Sequence, residues 1–329
     1  MFAQRVKRCL VVAPPATAAW GTRAGDRVLT SVMAPEPIPP GRFLSVHVRF
    51  SRGVVTIAIV MLVLAVGLSI GVYQLLTRAP RPLAVPEPHC VVRAEGEERK
   101  MDIEQARIAA TIAAVAARRK LPEQAVVIAY ATALQESELY NLPYGDRDSL
   151  GVFQQRPSQG WGSKKQVMDP VYATNRFFAA LVKVKGYRKM PVSEAAQAVQ
   201  RSAAGYAYGP HETDARILAA AFTGRVPRAL HCWYPVEGHP QAAGPEGGKQ
   251  AAPPRPEKAK ALRALKRALG STAVTSRKRG WLIATWWVAH AEEYGLSRVE
   301  YAGARWTNDL DTDGWEDGGA RSRTKIAVA

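Results

Sequence analysis

The chain is short of acid. Its 329 residues hold 45 Lys and Arg against 28 Asp and Glu, a formal net charge of +17. That excess favours anionic partners: nucleic acid, a membrane surface or an acidic polymer. Nucleic-acid modules are missing, however. The basic residues are scattered, without helix-turn-helix, zinc-finger or base-stacking patterns, so no nucleic-acid partner is expected. P-loop and dinucleotide glycine patterns are absent too, and no cofactor is expected. Six histidines lack metal-ligand spacing. Asp309, Asp311 and Asp313 alternate as in a calcium loop, but the glutamate that should close it does not follow. No metal is expected.

Charge is missing altogether from Gly53 to Thr77. A helix needs roughly 20 apolar residues to cross the hydrocarbon core, and this run supplies them with no polar face. Eight Lys or Arg precede it, against Asp26 and Glu36. The positive-inside rule then leaves the N-terminus cytoplasmic and everything beyond about residue 78 outside. A cleaved signal peptide is the competing reading, but the run exceeds the usual apolar length of about 7–15 residues. The expected localisation is the cell membrane, by a single retained span, with the C-terminal regions extracytoplasmic.

Cysteine is scarce, at three. Cys9 falls in the cytoplasmic tail, whereas Cys90 and Cys232 fall in the exported part. Two cysteines in an oxidising compartment suggest one disulfide, with two free buried thiols as the alternative.

Composition divides the rest. Residues 1–52 read as a mostly disordered tail, 53–77 as the transmembrane helix and 78–89, with Pro80, Pro82, Pro86 and Pro88, as a spacer. Residues 90–235 read as a helical domain. Asp102 with Gln105 opens a helix from Ile103 to Arg119, and a second runs from Glu123 to Glu138. A turn-rich hairpin excursion follows from Asn141 to Ser163. Asp169-Pro170 starts Val171 to Val184, Ser193 caps Glu194 to Ser202, and Thr213 to Phe222 closes the set. Residues 236–256 read as a flexible linker and 257–329 as a small α+β domain with helices at Glu257–Leu269 and Gly280–Tyr294. Its strands are Arg298–Tyr301 and Lys325–Val328. The fold class is mainly α.

One stretch carries chemistry: Ala133-Leu134-Gln135-Glu136-Ser137, then Asp148-Ser149-Leu150-Gly151-Val152-Phe153-Gln154-Gln155-Arg156-Pro157. A glutamate ends a small, apolar helical run, and a turn with Gly-x-Phe-Gln follows. The arrangement resembles the core of lytic transglycosylases and other lysozyme-like domains. With Gly145 to Ser149 and Gln159 to Gly162 added, it looks like an actinobacterial, membrane-anchored subgroup of them.

That resemblance implies a lysozyme-like domain with peptidoglycan as partner and Glu136 as the catalytic acid. One carboxyl then suffices: it protonates the glycosidic oxygen, then takes the proton of the sugar's own C6 hydroxyl. Such an acid works where an apolar, partly dry setting keeps it protonated. Ala133, Thr132, Ala129 and Ile128 lie behind Glu136 on its face, while Glu138 is about 200° around the helix. Gly151, Phe153 and Gln154 would line the cleft, with Gln154 bonding the sugar or the glutamate. Gln200, Tyr206 and Tyr208 stand where the family carries polar groups and a tyrosine near the carboxyl. Trp161 would stack on a sugar ring or sit in the core. Residues 257–329 resemble small wall-associated domains, without the histidines of their last strand; their aromatics would hold glycan or form a core. Two other readings remain open: a non-catalytic wall-binding scaffold, and a muramidase using Asp146, Asp148 or Glu138 as a second carboxylate.

Overall fold

The computed structural model describes residues 51–78, 86–201, 205–235, 256–310, 314–318 and 321–329. The expectations for residues 1–50, for most of the spacer and for nearly all of the linker fall outside them. The chain divides into two units, residues 1–78 and 79–329.

In the first unit, α1 runs from Arg52 to Arg78. Its Arg52–Gln74 stretch has mean hydropathy 2.7 and no buried residue, the length and composition of a membrane span. Two polar side chains return to the backbone, Thr56 to the Arg52 carbonyl at 2.9 Å and Ser69 to that of Ala65 at 2.8 Å. Both hydroxyls are thus satisfied within the helix, as an apolar surrounding would require.

The second unit is mostly helical, with two small sheets. Its centre is α2 (Ile103–Arg118), whose alanines let neighbouring backbones approach closely. The expected cap is present: the Asp102 amide donates to Gln105 Oε1 at 2.8 Å. Next, α3 (Glu123–Ser137) packs on α2, with the buried Tyr130 hydroxyl donating to the Ala109 carbonyl at 2.8 Å. It stops one residue short of expectation, because Glu138 and Leu139 turn left-handed at φ 53° and 65°. After the single turn α4 (Lys164–Val167), Asp169 caps α5 (Pro170–Leu181) through the Val171 and Tyr172 amides, as its Asp-Pro signature predicts. The next helix, α6 (Val192–Gln200), begins earlier than expected, at Pro191 in place of a Ser193 cap. Finally α7 (Glu212–Phe222) lies against α3.

Strands that the sequence reading omitted close the domain. His89–Ala94 (β1) pairs antiparallel with Glu97–Met101 (β2) on one side and Leu230–Trp233 (β3) on the other. Cys90 and Cys232 are register partners there and form the expected disulfide, with Cα atoms 3.9 Å apart. The hairpin excursion is slighter than expected: one bridge joins Leu150 and Gln155.

The C-terminal region departs most from expectation. Residues 257–329 share one core with the helical domain and do not form a body of their own. α8 (Lys258–Leu269) and α9 (Arg277–Ala289) both pack on α2. Trp281, Trp286 and Trp306 are fully buried, and the Trp315 indole donates to the Leu230 carbonyl at 2.9 Å. These aromatics are core, not a glycan platform. A four-stranded sheet in the order β6-β5-β4-β7 covers the end; in it Arg298–Tyr301 (β4) pairs with Ala304–Thr307 (β5), which pairs with Trp315–Asp317 (β6). The expected last strand shrinks to Ala327–Val328 (β7).

Candidate active site

Three segments converge on Glu136, and each arrives by a side chain that fixes it. Ser137 ends α3, and its buried hydroxyl donates to the Val152 carbonyl at 2.8 Å. That bond holds the 150–155 turn against the helix end. From the other side, Gln200 at the end of α6 donates through Nε2 to the Phe153 carbonyl at 2.8 Å and to Glu136 Oε1 at 3.0 Å. Tyr208, in the 3₁₀ segment Gly205–His211, donates its hydroxyl to the same Oε1 at 2.8 Å.

Glu136 is half-buried, so its carboxyl reaches the surface while its helix lies in the core. Both hydrogen bonds end on Oε1; among the described residues no partner reaches Oε2. The group is therefore aimed by two fixed donors and keeps one oxygen open. That is the layout of a carboxyl able to exchange a proton with something outside the protein. Beside it, His211 Nε2 contacts Gln135 Oε1 at 3.1 Å, a flank the sequence reading did not include.

The turn is strained in a way that explains its glycine. Gly151 sits at φ +76°, and a Cβ there would come within 2.4 Å of the Val167 carbonyl oxygen. Its amide donates to the Leu142 carbonyl at 2.8 Å. The backbone thus approaches protein closely, where the sequence reading had a ligand. Phe153 turns inward, stacked on Phe177 with ring centroids 4.5 Å apart. Its carbonyl, not its ring, serves the site.

Gln154 does not take the expected role towards the glutamate. At φ +45° its amide folds back, donating to the carbonyls of Tyr144 at 3.3 Å and Gly151 at 3.2 Å. Gln200 makes the contact with Glu136 instead. Tyr206 is 84% exposed, while Tyr208 is 1% exposed and its hydroxyl meets Glu136. Left-handed non-glycine residues recur around the site: Glu138, Leu139, Gln154 and Arg201. Each costs on the order of 1–3 kcal/mol, and such strain tends to gather where function requires it.

The other carboxylates are placed differently. Asp148 accepts from Arg156 Nε at 2.8 Å, from the Ser158 amide at 2.7 Å and from the Ser158 hydroxyl at 2.9 Å. Arg156 first, then the two Ser158 donors, hold it well below the usual carboxylate range. It pins a loop as a permanent anion. Asp146 is an exposed partner of Arg147, and Glu138 is exposed beyond the helix end.

Beside Gln200 opens a groove of about 330 Å³, with the half-buried Trp161 on one wall and Arg176, Lys183 and Arg201 around it. Trp161 thus lines a cleft and is not sealed in the core. Compared with known proteins, the chain matches no family model and no curated protein.

Proposed function

We propose that the protein is a membrane-anchored, extracytoplasmic glycan-cleaving enzyme with a lysozyme-like domain. It acts on the MurNAc–GlcNAc linkage of peptidoglycan as a lytic transglycosylase. The observation that carries this reading is Glu136 Oε1 held by Gln200 and Tyr208, with Gln200 also lining an open groove. α1 supports the membrane anchor, and the disulfide agrees with an oxidising compartment outside the cytoplasm.

In the forward step Glu136 gives its proton to the glycosidic oxygen as that bond breaks. The carboxylate left behind then accepts the proton of the C6 hydroxyl as that oxygen bonds to the anomeric carbon. Gln200 and Tyr208 donate to the charged form and keep the carboxyl aimed through both steps. No second carboxylate is needed, and the engagement of Asp148 by three donors argues against its serving as a base for water.

Incubating the full-length protein with peptidoglycan and weighing the products tests this. Anhydro-muropeptides are expected from the wild type. Turnover should fall by about 10²–10⁴-fold in Glu136→Gln, which keeps shape and hydrogen bonding but not the proton. Reducing-end MurNAc would indicate attack by water and a muramidase. Tight glycan binding without any product would indicate a scaffold.

A further inference from the structure

The groove beside Gln200 belongs to a face of one sign. Between Asp169 and Glu194 the chain carries Arg176, Lys183, Lys185, Arg188 and Lys189 and no acidic residue. Arg176 and Lys183, with Arg201, are exposed around the groove. Among the described residues none of these three pairs with a carboxylate; Arg176 donates to the carbonyl of Gly160, another lining residue, at 3.0 Å. Elsewhere in the same domain comparable arginines are matched: Arg99 with Asp214 and Arg225 with Glu123 and Glu95. Unmatched like charges around a concavity repel one another and focus a positive potential into it. An anion entering the groove relieves that repulsion.

We propose that this groove is a subsite for free carboxylates carried on the glycan. A sugar ring lies against Trp161, and the carboxylates of the peptide attached to that sugar meet Arg176, Lys183 and Arg201. The inference rests on the glycan-cleaving reading and adds a preference to it: strands with free peptide carboxyls are favoured over strands whose carboxyls are amidated. Amidation replaces a charged acceptor by a neutral one, which removes the ion pairs and leaves the stacking. Because the cations are exposed, the preference weakens as salt rises. A concave site with an indole wall, sharing Gln200 with Glu136, suits a polymer segment better than a flat lipid surface.

Full-length protein in detergent, carrying Glu136→Gln so that strands stay whole, is titrated with purified glycan strands. One batch keeps its carboxyls and the other is chemically amidated. At low salt the free-carboxyl strands should bind about tenfold tighter, and most of that difference should vanish near 0.3 M salt. Arg176→Gln with Lys183→Gln should remove most of the difference, and Lys183→Glu alone should do the same, because either change lowers the charge around the groove by two. Equal affinities in the parent protein overturn the inference, as does a preference that survives the double variant. Anionic vesicles displacing the free-carboxyl strands overturn it as well, in favour of a lipid surface. A parallel digestion with the wild type separates the two claims. Equal cutting of both batches removes the carboxylate preference and keeps the enzyme. A binding preference without any cutting keeps the subsite and removes the enzyme.

Discussion

At the scale of single residues, the site depends on two donors that share one acceptor atom. Tyr208 buries its ring and donates its hydroxyl to Glu136, so Tyr208→Phe removes that hydrogen bond with little change in packing. A hydrogen bond to a charged group contributes about 1.5–3 kcal/mol, and each 1.4 kcal/mol is about tenfold in rate. Turnover should therefore fall roughly 10- to 100-fold, with the melting temperature nearly unchanged. A Tyr208→Phe protein as active as the wild type would remove that hydroxyl from the mechanism. The sequence named Gln200 and Tyr208 through their place in a family pattern. Of the two roles it offered Gln154, the contact with the glutamate is not made, because nothing in the residue order reveals that φ turns positive there and swings the amide back onto its own loop.

Among the elements, those legible in sequence carry local signals. The caps at Asp102 and Asp169 are examples, since each is closed by residues two or three positions on. The sheet of β1, β2 and β3 was not legible, because strands of 6, 5 and 4 residues leave little local periodicity. The turn at 150–155 lies between these cases: its glycine was plain, its reason was not. Gly151→Ala would force a Cβ into the Val167 carbonyl at 2.4 Å and impose a left-handed φ on alanine. The expected cost is about 3 kcal/mol, read as a lower urea midpoint with an unchanged slope. Because Ser137 and Gln200 both hold this turn, cleavage should fall more than stability alone predicts. A mutant with wild-type stability would mean that the turn relaxes without loss.

Over the whole molecule, the C-terminal segment shares the core of the helical domain, and two buried histidines mark the join. Burial pushes His290, stacked on Trp286 in α9, down to about 3 from its ordinary 6.5. Burial likewise lowers His231 on β3 to about 4, where it accepts the Trp306 indole N–H at 3.0 Å. Both are neutral when folded and protonate more readily when unfolded. Stability should thus be complete near neutral pH and decline as pH falls from about 6.5 towards 4. For His290 the loss at pH 5 is about 2 kcal/mol. His290→Phe should remove about half of the decline in chemical-denaturation stability between pH 7 and 5, because His231 keeps its own share. The loss tied to Asp148 begins only below about pH 4, where the unfolded chain takes up a proton there and the folded carboxylate does not.

The same join decides what truncation does. A composition-based boundary near residue 256 suggests that the remainder can be cut away without harm to cleavage. The packing says otherwise. Arg118 donates to the Arg267 carbonyl at 2.9 Å, Lys278 pairs with Glu123 at 3.2 Å, and Asn308 exchanges two hydrogen bonds with the Tyr234 backbone. Gly224 lies so close to α9 that a Cβ on it would touch the Lys278 carbonyl at 2.1 Å. Deleting residues 257–329 would strip the cover from the apolar face of α2, against which α3 packs. The truncated protein should melt at least about 10 °C lower, or lose a cooperative transition altogether. Glycan binding and cleavage should be lost together, because the scaffold that aims Glu136 is undone. A truncated chain that melts and cuts like the parent would show that α2 finds another cover.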